Sequence, residues 1–424
     1  TQPKIIKEMG EQKITMSFLQ NLIQETNPDI TITSYEVTAG SDRGDNYTAM
    51  IYRIKLVGTT SKDDDWTQTI IYKCLPDSSA RRALFKSEVL FCNEVEFYTK
   101  ALPALLDFQN SKTISDVFRS VPKRFLACRD VIVMEDLQAK GFKMTDRKNG
   151  LDYKHCSAAL RELGKFHALS LGMKCQEPQL FQKSVASAVK EVFFISQNED
   201  YYRHYYKVAA DNAIAMVDSC LTENEKVVYL EKFKTFVGGN NFFSEMIELS
   251  TPSEPIAVLC HGDFWSNNIL FKYLPCGEIE EVCFIDFQLV RYASPALDLV
   301  TLLYSCTSHQ LRTNKMDQLL DEYLNSLGKA LADLECSDGN MEYCNSDILR
   351  KRIQEEIHSR SKFGLGLALD MIPIITCDSD QAPDLYENKF LDLEKSVIPV
   401  ATNNAQCQQK FVELVKELVD NGDL

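Results

Sequence analysis

Apolar and polar residues alternate in three stretches near the start of the chain, ITSYEVTAG, NYTAMIYRIKLVG and WTQTIIYKCLP. Their β-branched and aromatic content predicts three strands, and the Gly- and Asp-rich turns between them make an antiparallel meander the simplest linkage. The period then changes. In ARRALFKSEVLFCNEVEFYTKALPALL the apolar residues Leu84, Phe91, Val95 and Tyr98 follow helical spacing, and Pro103 is expected to mark the helix end. DVIVMEDL, residues 130–137, reads as another short apolar strand. From about residue 150 the pattern is helical, in YKHCSAALRELGKFHALSLGMK, ASAVKEVFFISQ, NEKVVYLEKFKTFVGG, DQLLDEYLNSLGKALADL and QKFVELVKELVDNG. One β-rich island, AVLCHGDFWSNNILFKYLPCGEIEEVCFIDFQLV, interrupts it, with two apolar strands around a turn at Pro275 and Gly277. There is no internal repeat.

This order of elements predicts an α+β chain, with a β-rich first third and a larger, mostly helical remainder. At 424 residues the chain exceeds what one core usually organises, so two lobes are expected. We place the first at residues 1–133, a linker at 134–138 and the second at 139–424. Hydrophobic residues at 45% and charged residues at 25% are those of a folded globular protein. The formal charge, 46 − 61 = −15, argues against a general nucleic-acid or anionic-membrane surface. The 14 cysteines form no C-x-x-C pair, which reads as reduced thiols. The longest apolar run, FGLGLALDMIPIIT, is interrupted by Asp370 and too short to span a bilayer. A cytoplasmic protein, monomeric or weakly dimeric, is expected.

The chemistry gathers at HGDFWSNNILF, residues 261–271. Asp263 and Asn268 lie five positions apart on a predicted loop, and Asp286 follows at the end of the strand VCFID. A hairpin that returns the chain would bring three oxygen ligands of the Mg²⁺ type together. The order His-x-Asp-x-x-x-x-Asn, then Asp-Phe, is that of phosphoryl-transfer sites, where the first Asp accepts a hydroxyl proton and the other two hold metal. Two competing readings are a core histidine beside turn residues and a zinc hydrolase using His261 and Asp263. Against the second, the chain has six histidines and no pair at zinc spacing.

If the site transfers phosphoryl groups, features that hold ATP should precede it. Gly40 and Gly44 sit between two predicted strands, where glycine lets backbone N–H groups approach phosphate, although a plain hairpin turn would look the same. Lys73, inside the apolar strand TIIYKCLP, needs a fixed anionic partner. Glu94 lies on the apolar stripe of the following helix, and Glu88 fits that stripe nearly as well. Glu96 faces Lys100 at i+4 and reads as a solvated pair. Glu135 and Leu137, at the end of VIVMEDL, would offer backbone groups to adenine.

Taken together, these marks resemble the ecdysteroid kinase-like family, also called the CHK kinase-like proteins, related to aminoglycoside and choline phosphotransferases. They are GDNY at 44–47, which adds Asn46 to the expected nucleotide contacts, NEVEFY at 93–98, VMEDL at 133–137, KFHALS at 165–170, HGDFWSNNILF, and IDFQLVRYASPALDL at 285–299. The resemblance implies a two-lobed protein-kinase-like fold, with a small antiparallel sheet and one long helix in the first lobe. It implies ATP and Mg²⁺ as cofactors, Glu94 as the partner of Lys73, Asp263 as catalytic base, Asn268 and Asp286 as metal ligands, and Asp298 as a support of the catalytic loop. In two places the chain departs from expectation: Ala49 replaces a small hydroxyl residue, with Thr48 beside it, and Gln288 replaces the glycine of D-F-G.

PALDL follows Asp286 after a few residues, which leaves no room for a peptide-binding platform. A small-molecule acceptor in the helical lobe is therefore expected, and no nucleic-acid or membrane partner. The favoured acceptor is a hydroxyl of a bulky, largely apolar molecule such as an ecdysteroid or hydroxylated xenobiotic, with FGLGLALDMIPII and VFFISQNEDYYRHYYK as pocket surface or as ordinary core. An aminoglycoside- or choline-type phosphotransferase and a silent ATP-binding module are the alternatives.

Overall fold

Alternation along the first strands sorts their side chains onto two faces, and the computed structural model shows what covers each. It describes residues 14–40, 48–61, 65–114, 116–336, 346–377 and 404–424. Strands β1 (Thr31–Ala39), β2 (Met50–Thr59) and β3 (Trp66–Cys74) form the expected antiparallel meander. Two further strands, β4 (Arg124–Cys128) and β5 (Val131–Glu135), complete a five-stranded sheet of order β1-β2-β3-β5-β4. Helix α1 (Met16–Gln24) covers one face, where Leu19, Leu22 and Ile23 meet Ile54, Leu56, Tyr72 and Val133. Ile132 and Met134, one position out of step, belong instead to the core shared with the helical lobe. The same period of two turns Lys73, between Tyr72 and Cys74, away from α1.

The long N-lobe helix is present in segments. Ser79–Leu84 ends at Phe85, and Lys86 adopts φ 49° before α2 (Ser87–Glu96) begins. A π turn at Phe97–Ala101 follows, and then a further helix, Leu102–Asn110. Pro103 therefore opens the last segment rather than ending the helix. The π turn bonds Leu102 N–H back to Phe97, and proline in a first helical turn gives up no bond that the helix needs.

The stretch ASAVKEVFFISQ also departs from its predicted helix, because residues 187–195 are irregular. Side chains take the backbone donors that a helix would use: the Glu191 carboxylate accepts the N–H groups of Phe193 and Phe194 at 2.8 and 2.9 Å, and Asn93 accepts that of Lys190 at 3.0 Å.

The helical lobe is built from α3 (Tyr153–Gln176), α4 (Ser196–Cys220), α5 (Phe242–Leu249), α6 (Ala296–Cys306), α7 (His309–Asp333), α8 (Ser346–Thr376) and α9 (Ala405–Asp420). Between α5 and α6 the predicted island forms two small antiparallel pairs. Strand β6 (Val258–Cys260) pairs with β9 (Arg291–Ala293), and β7 (Ile269–Tyr273) with β8 (Ile279–Phe284). Helices α3 and α7 approach so closely that a Cβ on Gly164 would lie 2.7 Å from the Tyr323 carbonyl oxygen. Most of the aliphatic run of α8 is spent in the core: Phe363, Leu365, Ala368, Ile372 and Ile375 are buried. Among the described residues no helix is long and apolar enough to cross a membrane.

One carboxylate inside this lobe has only hydroxyl partners among the bonds seen here. Asp370 of α8 accepts hydrogen bonds from Tyr205 at 2.6 Å and Tyr206 at 2.8 Å. Burial pushes its carboxyl up to about 6 against the opposing effect of those bonds. A carboxyl raised on folding holds its proton more tightly folded than unfolded, so it adds stability below about pH 4 that is lost as the pH rises through about 6. Denaturant melts from about pH 4 to 7 should show wild type losing stability relative to Asp370→Asn as the pH rises. Parallel curves for the two proteins would refute this account of Asp370.

Candidate active site

A lysine in mid-strand is tolerable only with its charge answered, and here it is answered twice. Lys73 Nζ lies 2.7 Å from Glu94 of α2 and 2.7 Å from Oδ1 of Asp286, which follows β8. Burial works against the ammonium, but the carboxylates of Asp286 and Glu94 raise its pKa above the ordinary lysine value. Burial also pushes Glu94 up, to about 7, with Lys73 opposing. Glu88 takes no part. Its side chain is 62% exposed and pairs with Arg82 at 3.1 Å, while Glu96 pairs with Lys100 as its spacing suggests.

The catalytic-type loop leaves β6 at His261. Asp298, near the start of α6 and 1% exposed, accepts the N–H groups of His261 at 2.7 Å and Gly262 at 2.9 Å. His167 of α3 adds a third contact at 3.1 Å, and its other ring nitrogen meets the Tyr323 hydroxyl at 2.9 Å. Burial opposes the charge of Asp298, yet the bond from His167 and the backbone donors hold its carboxyl below the usual range. His261 itself is a strut. Its Nε2 must donate to the Ile285 carbonyl at 3.0 Å, which makes Nδ1 the acceptor for the Asp263 N–H. Burial depresses its pKa, so it stays neutral.

Asp263 and Asn268 meet as their spacing predicts. Asn268 Nδ2 donates to the Asp263 carbonyl at 2.9 Å and to Oδ2 of its carboxylate at 2.8 Å. The ligand-type atom, Asn268 Oδ1, is not used in these bonds. Burial and then the Asp286 charge push the Asp263 carboxyl up to about 7. The hairpin returns Asp286 to this loop through the Ile285 N–H, which donates to the Asn268 carbonyl at 3.0 Å. Asp286 is left-handed, at φ 65°.

Glu94 and Asp286 thus share the Lys73 ammonium, and Asp263 stands near enough to Asp286 for their charges to repel, with the Asn268 amide beside it. Two of the three carboxyls are strained toward protonation. A hard cation would relieve that excess of anionic oxygen, so the residues present fit Mg²⁺ at Asn268 and Asp286. The zinc reading does not fit, since both His261 ring nitrogens already face backbone groups. His167, Cys260 and Asp298 do approach within metal distance of one another, but hydrogen bonds already engage all three.

The expected nucleotide contacts are placed in part. Gly44 and Asn46 lie outside the described residues. Gly40 bonds its N–H to the Ile51 carbonyl at 2.9 Å, and a Cβ there would lie 2.5 Å from the Ile51 side chain, so its smallness serves strand packing. Glu135 donates its N–H to the Lys123 carbonyl at 2.9 Å, and the returning Lys123 N–H goes to the Glu135 carboxylate at 2.8 Å rather than to its carbonyl. The Leu137 carbonyl accepts from Lys140 and Phe142. Ala49 is buried, and Thr48 donates to the Gln288 side chain at 2.6 Å.

Reading the sequence missed three parts of this neighbourhood. An apolar patch apart from the main core joins Leu137 and Phe142 to Leu270, Cys283 and Ile285, the last two on the strand end that leads to Asp286. Arg291 is buried and binds Glu191 at 2.7 Å and the Gly262 carbonyl at 3.3 Å. Asn93, beside Glu94, reaches across to the segment after Asp286. Arg291 carried a usable signal, a charge in the apolar run LVRYA of the same kind as Lys73 in its strand. The partners of Asn93 lie 97 to 197 residues away and left no local trace.

A five-stranded antiparallel lobe holding a buried Lys–Glu pair, followed along the chain by a carboxylate–amide loop, defines a kinase-like phosphotransferase architecture. The ecdysteroid kinase-like family model matches residues 43–336, and the chain belongs to that family. No curated protein matches it in sequence. Among solved structures it is similar to the GDP complex of wild-type aminoglycoside 2'-phosphotransferase-IIIa, with 14% identity over 81% of this chain and 99% of that one and a TM-score of 0.31. It is also similar to ADP-bound aminoglycoside phosphotransferase APH(2'')-Ib, with 15% identity, 81% and 98% coverage and a TM-score of 0.30. A streptomycin–ATP–APH(2")-IIa ternary complex gives 15% identity, 81% and 97% coverage and a TM-score of 0.30. With scores this low, the fold rests on the family and on the element order described above.

The loop geometry sets a test of its own. Gly262 has φ 83°, and a Cβ there would lie 1.8 Å from the Leu289 carbonyl oxygen, whereas Gly141 has φ 89° with nothing within 4 Å. Gly141→Ala should cost about 1 kcal/mol, the backbone strain alone. Gly262→Ala should cost about 3 kcal/mol or more, as the loop and the 287–290 turn are forced apart. Urea melts giving equal losses would contradict the close approach.

Proposed function

We propose that this protein is an ATP-dependent small-molecule kinase that transfers the γ-phosphoryl group to a hydroxyl of a bulky, largely apolar acceptor. The observation that carries the reading is the buried triangle in which Lys73 touches both Glu94 and Asp286 at 2.7 Å, beside the Asp263–Asn268 contact at 2.8 Å. Lys73, held by Glu94, positions the phosphates of ATP. Asp263, poised near 7 by burial and Asp286, accepts the proton of the acceptor hydroxyl as the new P–O bond forms. Asn268 and Asp286 would hold Mg²⁺, which when bound supplies charge neutralisation at the phosphate oxygens.

The patch of Leu137, Leu270 and Ile285 would receive adenine, with the Glu135 carbonyl and the Leu137 N–H as its backbone partners. In this reading Gly44 and Asn46 are phosphate contacts by the GDNY motif, and Gly40 anchors the strand end before them. In this reading residues 1–133 are the nucleotide lobe, 134–138 the hinge and 139–424 the acceptor lobe. The absence of any C-x-x-C pair or dense cysteine frame in the sequence supports a reducing, cytoplasmic setting.

The apolar acceptor is proposed from the family match, because the aromatic chain that leaves the catalytic loop begins in the core and reaches solvent at its far end. Arg291, bonded to Gly262, lies 5.8 Å from the Phe363 ring centre, and Phe363 packs on Phe194 at 5.6 Å. Beyond it Phe193 stacks on Tyr202 at 4.7 Å, and Tyr201 is exposed. A cationic acceptor, aminoglycoside- or choline-like, is the second reading, favoured by the Asp370 carboxylate held between two tyrosine hydroxyls.

Three measurements test this. Asp263→Asn should keep the fold and ATP binding while lowering turnover by about 10²- to 10⁴-fold, the usual worth of a positioned general base. Wild-type turnover in that variant would remove Asp263 from the mechanism. Asp286→Ala and Asn268→Ala should raise the Mg²⁺ midpoint for activity, and unchanged midpoints would overturn the metal assignment. The acceptor is settled by phosphate transfer to a panel of ecdysteroids, hydroxylated xenobiotics, choline and kanamycin. A clear preference in kcat/KM for either of the last two would displace the apolar acceptor and leave the kinase reading standing.

A further inference from the structure

The Lys73 contacts work only if α2, which carries Glu94, and the turn after Asp286 keep a fixed distance, although they lie almost 200 residues apart in sequence. One buried side chain spans them. Asn93, 5% exposed and next to Glu94, donates through Nδ2 to the carbonyls of Gln288 at 3.1 Å and Val290 at 2.8 Å. Its Oδ1 accepts the Lys190 N–H at 3.0 Å. The amide orientation follows from these partners, because a flipped amide would set oxygen against two carbonyls and nitrogen against a donor. Gln288 is held from the sheet side as well, by Thr48 at 2.6 Å. The start of the α2 region has its own tie to the helical lobe, where the Tyr201 hydroxyl donates to the Leu84 carbonyl at 2.7 Å and Lys86 lies over the Tyr201 ring.

We infer that Asn93 is a positioning residue, an interlobe clasp that holds α2 against the 286–290 turn so that Glu94, Lys73 and Asp286 stay in contact without any further ordering event. Gln288 is the other half of the clasp: its carbonyl is gripped by α2 and its side chain by Thr48 at the entry to β2. Phe287–Leu289 form a short 3-10 turn, and β9 begins at Arg291, so the segment is pinned at once by sheet pairing with β6. Assembly of the site is thereby built into the resting fold.

The inference rests on the kinase reading for its functional consequence, so its test has one arm that uses activity and one that does not. Asn93→Leu keeps the same side-chain branching while removing all three bonds, and Asn93→Ala serves if the bulkier leucine variant does not fold. With an accepted acceptor, turnover should fall about 10- to 100-fold, the scale of a small misplacement of reacting groups. In a Glu94→Gln background the same change should cost less than about twofold, because the two residues act on one contact. An equal factor in both backgrounds would reduce Asn93 to a generic packing role and overturn the clasp. In the second arm, hydrogen exchange should quicken about tenfold together in α2 and in residues 286–290 of the Asn93 variant. Unchanged exchange in α2 overturns the inference whatever the turnover. If wild type transfers phosphate to no acceptor, the kinase reading fails, and the exchange arm alone decides whether Asn93 joins the lobes.

Discussion

A carboxylate with almost no solvent is stable only when hydrogen bonds replace its lost hydration, and Asp298 shows how much structure can hang on meeting that condition. Its two oxygens take the N–H groups of His261 and Gly262, and so set where the loop leaves β6. His167 meets the same carboxylate from α3, and Tyr323 meets His167 from α7. One anion therefore registers the loop against three helices. His261 carries that register onward to Ile285, the residue before Asp286. Asp263, Asn268 and Asp286 are thus held in place by backbone and core groups.

The site was legible in the sequence wherever a polar residue stood in a stretch that could not otherwise hold it. Lys73 in an apolar strand, Asp263 and Asn268 ahead of ILF, and Asp286 at the end of VCFID each posed an electrostatic problem that only a partner could solve. The meander and the β7–β8 hairpin were equally readable, because period-two alternation and turn glycines are local signals. Spacing left Glu88 and Glu94 equivalent, and the segmented geometry around α2 separates them: one points to Arg82 and solvent, the other to Lys73.

What stayed hidden depends on contacts between distant parts of the chain. The helix predicted over ASAVKEVFFISQ fails because Glu191 and Asn93 capture its backbone donors, and neither capture shows in the local pattern. Pro103 looked like a terminator because period counting assumes one helix type, and a π turn just before it resets the phase. The apolar run of α8 matched pocket wall and core alike. Packing of Gly364 against Tyr304 and of Gly366 against Met246 commits it to the core.

The stretch from Asp286 to α6 is short. Eight residues lie between Asp286 and Pro295, and they are already occupied in a turn, a strand pair and the contacts of Arg291. Moving it means unzipping β6 from β9 and parting the Arg291–Glu191 charge pair at once, so the segment acts as a latch rather than a hinge.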